Sequence, residues 1–180
     1  MPHEQHLRDY LTRDEVALLL RAAKQSPRHG ARNHAMILLA YRHGLCASEV
    51  AGLRVSDLDL KRGTIYCRRA KNSRSSLHPL KPDEAAAVEK VLLRRKSLAN
   101  EYVFQSERAE KLSRSAFWPV VAQAGERAGL PVKAYAHQRR HACGYYLANR
   151  GCDLRLIQDK QIQNTVRYTV LNAARFAGLW

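Results

Sequence analysis

Residues 64–80 constrain the fold of this chain most, because they interrupt a sequence whose other apolar residues recur at helical spacing. The four residues from Thr64 to Cys67 are mostly β-branched or aromatic, which is typical of a strand. A polar, basic run then precedes a second short segment that ends at Leu80. The pattern predicts an antiparallel hairpin with a basic tip, and Lys71 lies on that tip.

Helix signals stand on both sides of the hairpin. Thr12 precedes Glu15 by three residues, the capping-box pattern that begins a helix. Gly44 follows an apolar periodic segment that begins near Ala31, and Pro82 suits the first position of a helix. The predicted helices cover about residues 13–26, 31–44, 47–53, 83–95, 113–128, 137–150, 153–159 and 165–180.

These elements predict a mostly α fold with a small antiparallel β-sheet. No linker, low-complexity tract or internal repeat divides the 180 residues. Residues 1–180 are therefore expected to form a single domain.

The charge balance favours a polyanionic partner. The chain has 31 Lys and Arg against 16 Asp and Glu, a formal net charge of +15. No apolar run approaches the ~20 residues that a membrane helix needs, and no signal peptide is visible, so we expect a cytoplasmic protein without a membrane partner. The four cysteines have no CxxC spacing and are expected to be free thiols.

One cluster of residue types late in the chain suits phosphate chemistry. His137, Arg140 and His141 share one face of a predicted helix. A zinc interpretation lacks the Glu of the HExxH pattern, since Gln138 stands there, and it lacks a third ligand. A phosphate interpretation uses Arg140 as an anion clamp and His137 as a proton-transfer group. From these residues alone, a solvated basic helix face remains a further alternative.

Tyr168 adds a nucleophile to this set. It lies near the end of the chain among basic and helix-forming residues. A tyrosine phenol can attack a phosphodiester once its proton is removed and the charge on the phosphate is clamped. His, Arg, Lys and Tyr together are the groups that this reaction needs.

With these residues, the chain resembles the tyrosine recombinases of the phage integrase family, and most of all the short bacterial recombinases that invert promoter segments in fimbrial phase variation. The similarity runs from about Tyr10 to Trp180. It is carried by the His137-Gln138-Arg139-Arg140-His141 box, by Thr165-Val166-Arg167-Tyr168-Thr169, and by residues 10–12, 43–45, 47–50, 54–60, 69–72, 78–80, 142–144, 155–159 and 172–176.

The resemblance implies the catalytic-domain fold of these recombinases, without a separate N-terminal core-binding domain. It implies that Tyr168 is the nucleophile, that Lys71 protonates the leaving 5′ oxygen, and that Arg140 belongs to the phosphate clamp. It further implies that His137 is the general acid/base and that His141 supports the box. The implied partner is double-stranded DNA, with copies of the chain assembling on it, and the implied reaction uses no metal and no cofactor.

Two departures from the family pattern predict weakened cleavage. Cys46 stands where the first clamp arginine belongs, immediately before Ala47. A thiol cannot form the forked bonds of a guanidinium, and such a loss costs on the order of 10³ to 10⁵ in rate by analogy with arginine fingers. In addition, four residues are missing around Lys160 and Gln161, including the Gly-His pair of the family.

The resemblance thus implies site-specific DNA strand breakage and rejoining through a 3′-phosphotyrosyl intermediate, as in promoter-segment inversion, with impaired catalysis. The alternative is a non-cleaving DNA-binding homologue that acts as a regulator or as the partner of an active recombinase.

Overall fold

Five α-helices, a short 3-10 helix (Val55–Asp57) and one three-stranded sheet form within residues 11–70 and 75–130, the part of the chain that the computed structural model describes. In chain order the α-helices and strands are α1 (Arg13–Lys24), α2 (Gly30–His43), α3 (Ala47–Ala51), β1 (Leu58–Asp59), β2 (Thr64–Cys67), β3 (Ser76–Pro79), α4 (Pro82–Leu92) and α5 (Phe117–Arg127).

Helix α1 begins at the predicted capping box. The Thr12 backbone N–H donates to Glu15 Oε2 at 2.7 Å, and the Glu15 N–H donates to Thr12 Oγ1 at 3.3 Å. Each side chain thereby satisfies a backbone group that the first turn leaves free. The apolar stripe of α1, which includes Val16 and Leu19, is buried.

Helix α2 is the centre of the core and packs against both α1 and α4. Its middle residues, from Ala35 through Ala40, are buried. Gly44 ends the helix in the left-handed conformation at φ 62°, which is nearly free of strain for glycine alone. This confirms the predicted C-cap and turns the chain toward α3.

The predicted hairpin is present, but the sheet has a third strand that the sequence did not indicate. The order is β1-β2-β3, and both pairs are antiparallel. Gly63, at φ 62°, makes the turn between β1 and β2. Strand β1 has two residues, both partly exposed, so it is too short to show the alternation that predicts a strand. The hairpin tip at Lys71 lies outside the described residues.

The later helices differ from prediction at their ends. Helix α4 starts with Pro82 as expected but ends at Leu92, three residues before the predicted end. Helix α5 starts at Phe117, because Ser113 forms a turn in which its Oγ accepts the Ala116 N–H at 3.2 Å. The helices predicted at 137–150, 153–159 and 165–180 lie outside the described residues. Among the helices of residues 11–70 and 75–130, none is long and apolar enough to cross a membrane.

Candidate active site

The structure describes one of the six positions singled out from the sequence, Cys46. The other five, Tyr168, Arg140, His137, His141 and Lys71, lie outside the described residues. Residues up to Ala70 are described, so the chain can be followed to the residue before Lys71. The surroundings of Cys46 and the approach to the hairpin tip therefore define the described part of the candidate site.

Cys46 is the residue at which helix α3 begins. It follows Gly44 and the buried Leu45, and its backbone is extended at φ −79° and ψ 170°. Its thiol is half-buried, and Sγ lies 3.1 Å from Ser48 Oγ. A side chain at this position therefore projects from the amino end of a short helix, with part of its surface in solvent.

Glu49 joins the Cys46 position to the hairpin. The Cys46 N–H donates to Glu49 Oε2 at 2.9 Å, and the Ala70 N–H donates to Glu49 Oε1 at 3.1 Å. One buried carboxylate thus holds the backbone on both sides of the candidate site. It fixes the position of the residue next to Lys71 relative to Cys46.

Arg69 strengthens the same connection. Its Nη1 donates to Glu49 Oε2 at 3.2 Å and to the Gly44 carbonyl at 3.3 Å, and its Nη2 donates to the His43 carbonyl at 2.9 Å. The Arg69 side chain is fully buried. The guanidinium therefore binds carbonyls at the carboxyl end of α2, where a positive charge is favourable, and it faces inward rather than toward a ligand at Cys46.

The sequence analysis assigned no role to Glu49 or Arg69. A signal for Glu49 was present, because it follows Cys46 by the same three residues that separate Thr12 from Glu15. No local signal exists for Arg69, whose partners are distant in sequence and become neighbours only when the segment after β2 reaches the end of α2.

A separate basic pocket lies at the other end of α2. Its lining includes the basic residues Arg28, Arg32, Arg94, Arg95 and Lys96. Burial lowers the pKa of the Arg32 guanidinium, and the charge of Glu107 opposes that shift. The fourteen residues of α2 span about 20 Å, so this pocket is remote from Cys46.

Comparison with known proteins then decides the family. A model of the phage integrase family matches residues 9–175. The chain belongs to the phage integrase family. That match also spans all six candidate positions, including those outside the described residues, and it confirms the resemblance deduced from the sequence.

Individual members of the phage integrase family agree with this result. The type 1 fimbriae regulatory protein FimE of Escherichia coli K12 is 46% identical over 181 residues, which cover 96% of this chain and 91% of the relative. The crystal structure of XerA recombinase has a TM-score of 0.81 at 25% identity and covers 98% of this chain and 65% of that one. A lambda integrase tetramer bound to a Holliday junction has a TM-score of 0.65 at 20% identity, covering 88% and 47%.

These matches confirm the predicted fold class. The described helices and three-stranded antiparallel sheet are those of a tyrosine recombinase catalytic domain. The chain is thus a tyrosine recombinase homologue that is similar to the fimbrial regulatory proteins.

Proposed function

We propose that this chain binds duplex DNA in the cytoplasm at specific recombination sites and retains the breakage and rejoining chemistry of its family in weakened form. Promoter-segment inversion is the proposed outcome. The net charge of +15 supports DNA as the partner, because neutralised phosphates release counterions and favour binding. The similarity to a fimbriae regulatory protein supports a regulatory DNA segment as the target.

In this proposal Tyr168 supplies the nucleophile. Its phenolic oxygen gives up its proton to His137 and attacks the scissile phosphorus, the bond from phosphorus to the 5′ oxygen breaks, and a 3′-phosphotyrosyl link forms. Lys71 donates a proton to the departing 5′ oxygen. Arg140 binds the non-bridging oxygens, His137 transfers a proton beside it, and His141 supports the pair. The 5′-hydroxyl of a recombining strand later attacks the phosphotyrosine and restores the phosphodiester.

The proposed impairment is carried chiefly by one observation, the thiol at Cys46. A guanidinium at that position would bind phosphate through two parallel charge-assisted bonds, which a neutral thiol cannot form. Arg69 is the arginine held beside this position, and its Nη1 and Nη2 donate to Glu49 and to the carbonyls of His43 and Gly44. It therefore offers no replacement for the missing clamp. The short segment at Lys160 and Gln161 is a second defect of the same kind, because the residues that are absent there include a phosphate-binding histidine of the family pattern.

A second candidate function is DNA binding without cleavage. The same thiol favours it, because binding depends on the positive charge of the whole molecule while cleavage depends on the clamp. In this case the chain occupies recombination sites or joins an active recombinase on DNA. The lambda integrase tetramer on a Holliday junction supports assembly of several copies in either case.

The proposed function is tested on the DNA site that the chain itself selects. Sequences bound from a random duplex library supply that site. A duplex of it with a nick close to the cleavage point traps any covalent adduct, because the short fragment that carries the released 5′-hydroxyl diffuses away and cannot reverse the reaction. We expect specific binding with a small adduct yield for the wild type and no adduct for Tyr168→Phe, which lacks the attacking oxygen.

Each other outcome has a defined meaning. An adduct that persists in Tyr168→Phe places the nucleophile elsewhere. Full conversion by the wild type rejects the impairment, and the absence of specific binding rejects the function. A plasmid carrying two inverted copies of the site then separates the two candidates, since slow inversion identifies a recombinase and no inversion identifies a binding protein.

A further inference from the structure

A cluster of three potential metal ligands, none of them a residue assigned to strand transfer, lies in the core. It consists of His43 at the end of α2, Cys67 at the end of β2 and His78 in β3. All three are buried, with 3%, 1% and 7% of their surfaces exposed. Histidine and cysteine together at such a depth are the ligands that zinc and related transition metals prefer.

Strand register explains how two of these ligands meet. Ile65 pairs with His78, and Cys67 pairs with Ser76. Because side chains alternate across a strand, Cys67 and His78 are diagonal neighbours on one face of the sheet. The last residue of α2 meets that face, since the His43 and His78 rings lie 5.3 Å apart between centroids.

The spacing of the ligand atoms suits one tetrahedral ion. His43 Nδ1 lies 3.1 Å from His78 Nδ1, and one ligand atom from each of the three side chains lies within 4.8 Å of the other two. Zinc bonds of about 2.0–2.1 Å to nitrogen separate two tetrahedral nitrogen ligands by about 3.3 Å. The two Nδ1 atoms are already near this separation. A shift of the Cys67 Sγ on the order of 1 Å would bring the third ligand atom within bonding distance of the same ion.

The outer nitrogen of each imidazole lies near a group of the kind that accompanies metal-bound histidine, although the His43 contact is a close ionic approach rather than a hydrogen bond. His43 Nε2 lies 3.1 Å from Glu84 Oε1, and His78 Nε2 lies 2.9 Å from Ser76 Oγ. When Nε2 of an imidazole carries the proton, Nδ1 of the same ring is the nitrogen that can bind a metal ion. In both rings the outer nitrogen therefore lies beside such a group, while the two Nδ1 atoms face each other.

Charge also balances around a divalent ion here. A Cys67 thiolate and the Glu84 carboxylate, whose side chain is 1% exposed, together supply two negative charges beside the ion. The Arg42 guanidinium lies 3.5 Å from the other Glu84 oxygen, and its charge is matched by Asp83. Burial of ions is tolerated only with such compensation.

We propose that His43 Nδ1, His78 Nδ1 and the Cys67 thiolate bind one structural Zn²⁺, which fastens the hairpin to the end of α2. The fourth position is taken by water or a small ligand. Since the hairpin leads to Lys71 and α2 leads to Cys46, the ion sits behind the candidate active site and takes no part in strand transfer. The competing arrangement is a metal-free pair of imidazoles joined by a single N–H···N bond.

The first test uses the untagged full-length wild type. Purified with zinc in the medium, it should contain about one equivalent of zinc per chain, and chelation should lower Tm by on the order of 5–10 °C relative to protein with zinc at 100 times Kd. Cobalt added to the zinc-free protein should give thiolate-to-cobalt charge transfer in the near ultraviolet, with the visible bands of a tetrahedral ion. This spectrum needs no mutant and so does not depend on variant folding.

Matched cysteine variants then locate the thiolate. Cys67→Ser should abolish the charge-transfer band. His78→Gln should lower the affinity for cobalt at least about tenfold, because even the loss of a group that only supports a ligand lowers metal affinity by about that much. Cys46→Ser and Cys143→Ser should retain the band, and the second control matters because Cys143 lies two residues after His141.

Three outcomes overturn the proposal. The first is a wild type that holds no zinc and whose Tm is unchanged by zinc or chelator. The second is a cobalt spectrum without thiolate charge transfer. The third is a band that survives Cys67→Ser but disappears in either control. None of these outcomes depends on DNA binding or cleavage, so the metal site and the proposed function fail or stand separately.

Discussion

The carboxylate of Glu49 accepts a backbone N–H from each side of the candidate site and faces the buried charge of Arg69. At the scale of single residues this ion pair differs from those on the surface, because both of its side chains are almost wholly removed from water. Removing one partner of a buried pair leaves the other charge uncompensated, which costs more than the pair itself contributes.

Glu49→Gln should therefore destabilise the protein by about 3–5 kcal/mol. Glu101→Gln is the matched control, since Glu101 pairs with Arg54 at 3.2 Å but 41% of the Arg54 side chain and 51% of the Glu101 side chain are exposed. The control should change stability by less than about 1 kcal/mol. Urea denaturation measures both values. Equal losses in the two variants would show that the buried pair does not hold the hairpin as described.

Between elements, Arg42 fastens α2 to α4. Its Nη1 and Nη2 donate to the two Asp83 oxygens at 2.7 and 2.6 Å, although 58% of the Asp83 side chain is exposed. These bonds hold the pKa of the Asp83 carboxyl below its ordinary value of 3.8. A carboxyl with a lowered native pKa stabilises the fold above its unfolded pKa, and that stability is lost as the pH falls through the native pKa.

Asp83→Asn should thus destabilise the protein at neutral pH by less than about 1 kcal/mol, because solvent screens this pair. The difference from the wild type should shrink as the pH is lowered below 3.8, the ordinary value. Denaturation across acid pH gives the profile, and a double-mutant cycle with Arg42→Gln isolates the pair from the Arg42 contact with Glu84. A difference that is constant with pH would contradict the assignment.

The elements that the sequence predicted are those with local signals. The Thr12 capping box, the glycine after α2 and the proline at the start of α4 each act within a few residues of their own position. Strand β1 and the late start of α5 were not predicted from the sequence. Strand β1 exists only through its pairing with β2, and α5 starts late because of a turn at Ser113.

The candidate site divides in the same way. Cys46 was found from its place beside Ala47 in a family pattern, and its position at the start of α3 agrees with the short helical turn predicted there. The Arg69 contacts and the His43, Cys67 and His78 cluster were not found, since each joins residues from different elements. Tertiary packing creates these groupings, and no spacing within one segment encodes them.

For the whole molecule, the net charge of +15 should govern the proposed encounter with DNA. Each phosphate neutralised should contribute a slope of about −0.9 to the dependence of log affinity on log salt concentration. Fluorescence anisotropy of a labelled duplex between low and physiological salt measures this slope. Affinity that does not change over this range would remove the argument for a polyanionic partner.

Reversing the two departures from the family pattern, Cys46 and the short segment near Lys160, tests the proposed catalytic site as a whole. Cys46→Arg restores a guanidinium at a half-buried position at the start of a helix, and the missing clamp corresponds to at least ~4 kcal/mol of barrier, or about 10³ in rate. Reinsertion of the four missing residues near Lys160 restores the Gly-His pair and the length of the connection before Tyr168. The two repairs act on different requirements, since the first stabilises charge on the phosphate and the second positions the nucleophile.

We expect Cys46→Arg alone to recover little activity if the short segment misplaces Tyr168, because a misplaced nucleophile cannot use a repaired clamp and a shift of about 1 Å can cost ~10²-fold. The variant with the reinsertion alone should also cleave slowly, because it lacks the arginine. The gain in cleavage from the double repair should exceed the product of the gains from the two single repairs. Covalent adduct yield on one nicked substrate compares all four proteins, with Tyr168→Phe in the doubly repaired chain as the blank. Wild-type cleavage equal to that of the double repair would rule out impairment, and a full gain from Cys46→Arg alone would show that the short segment leaves Tyr168 correctly placed.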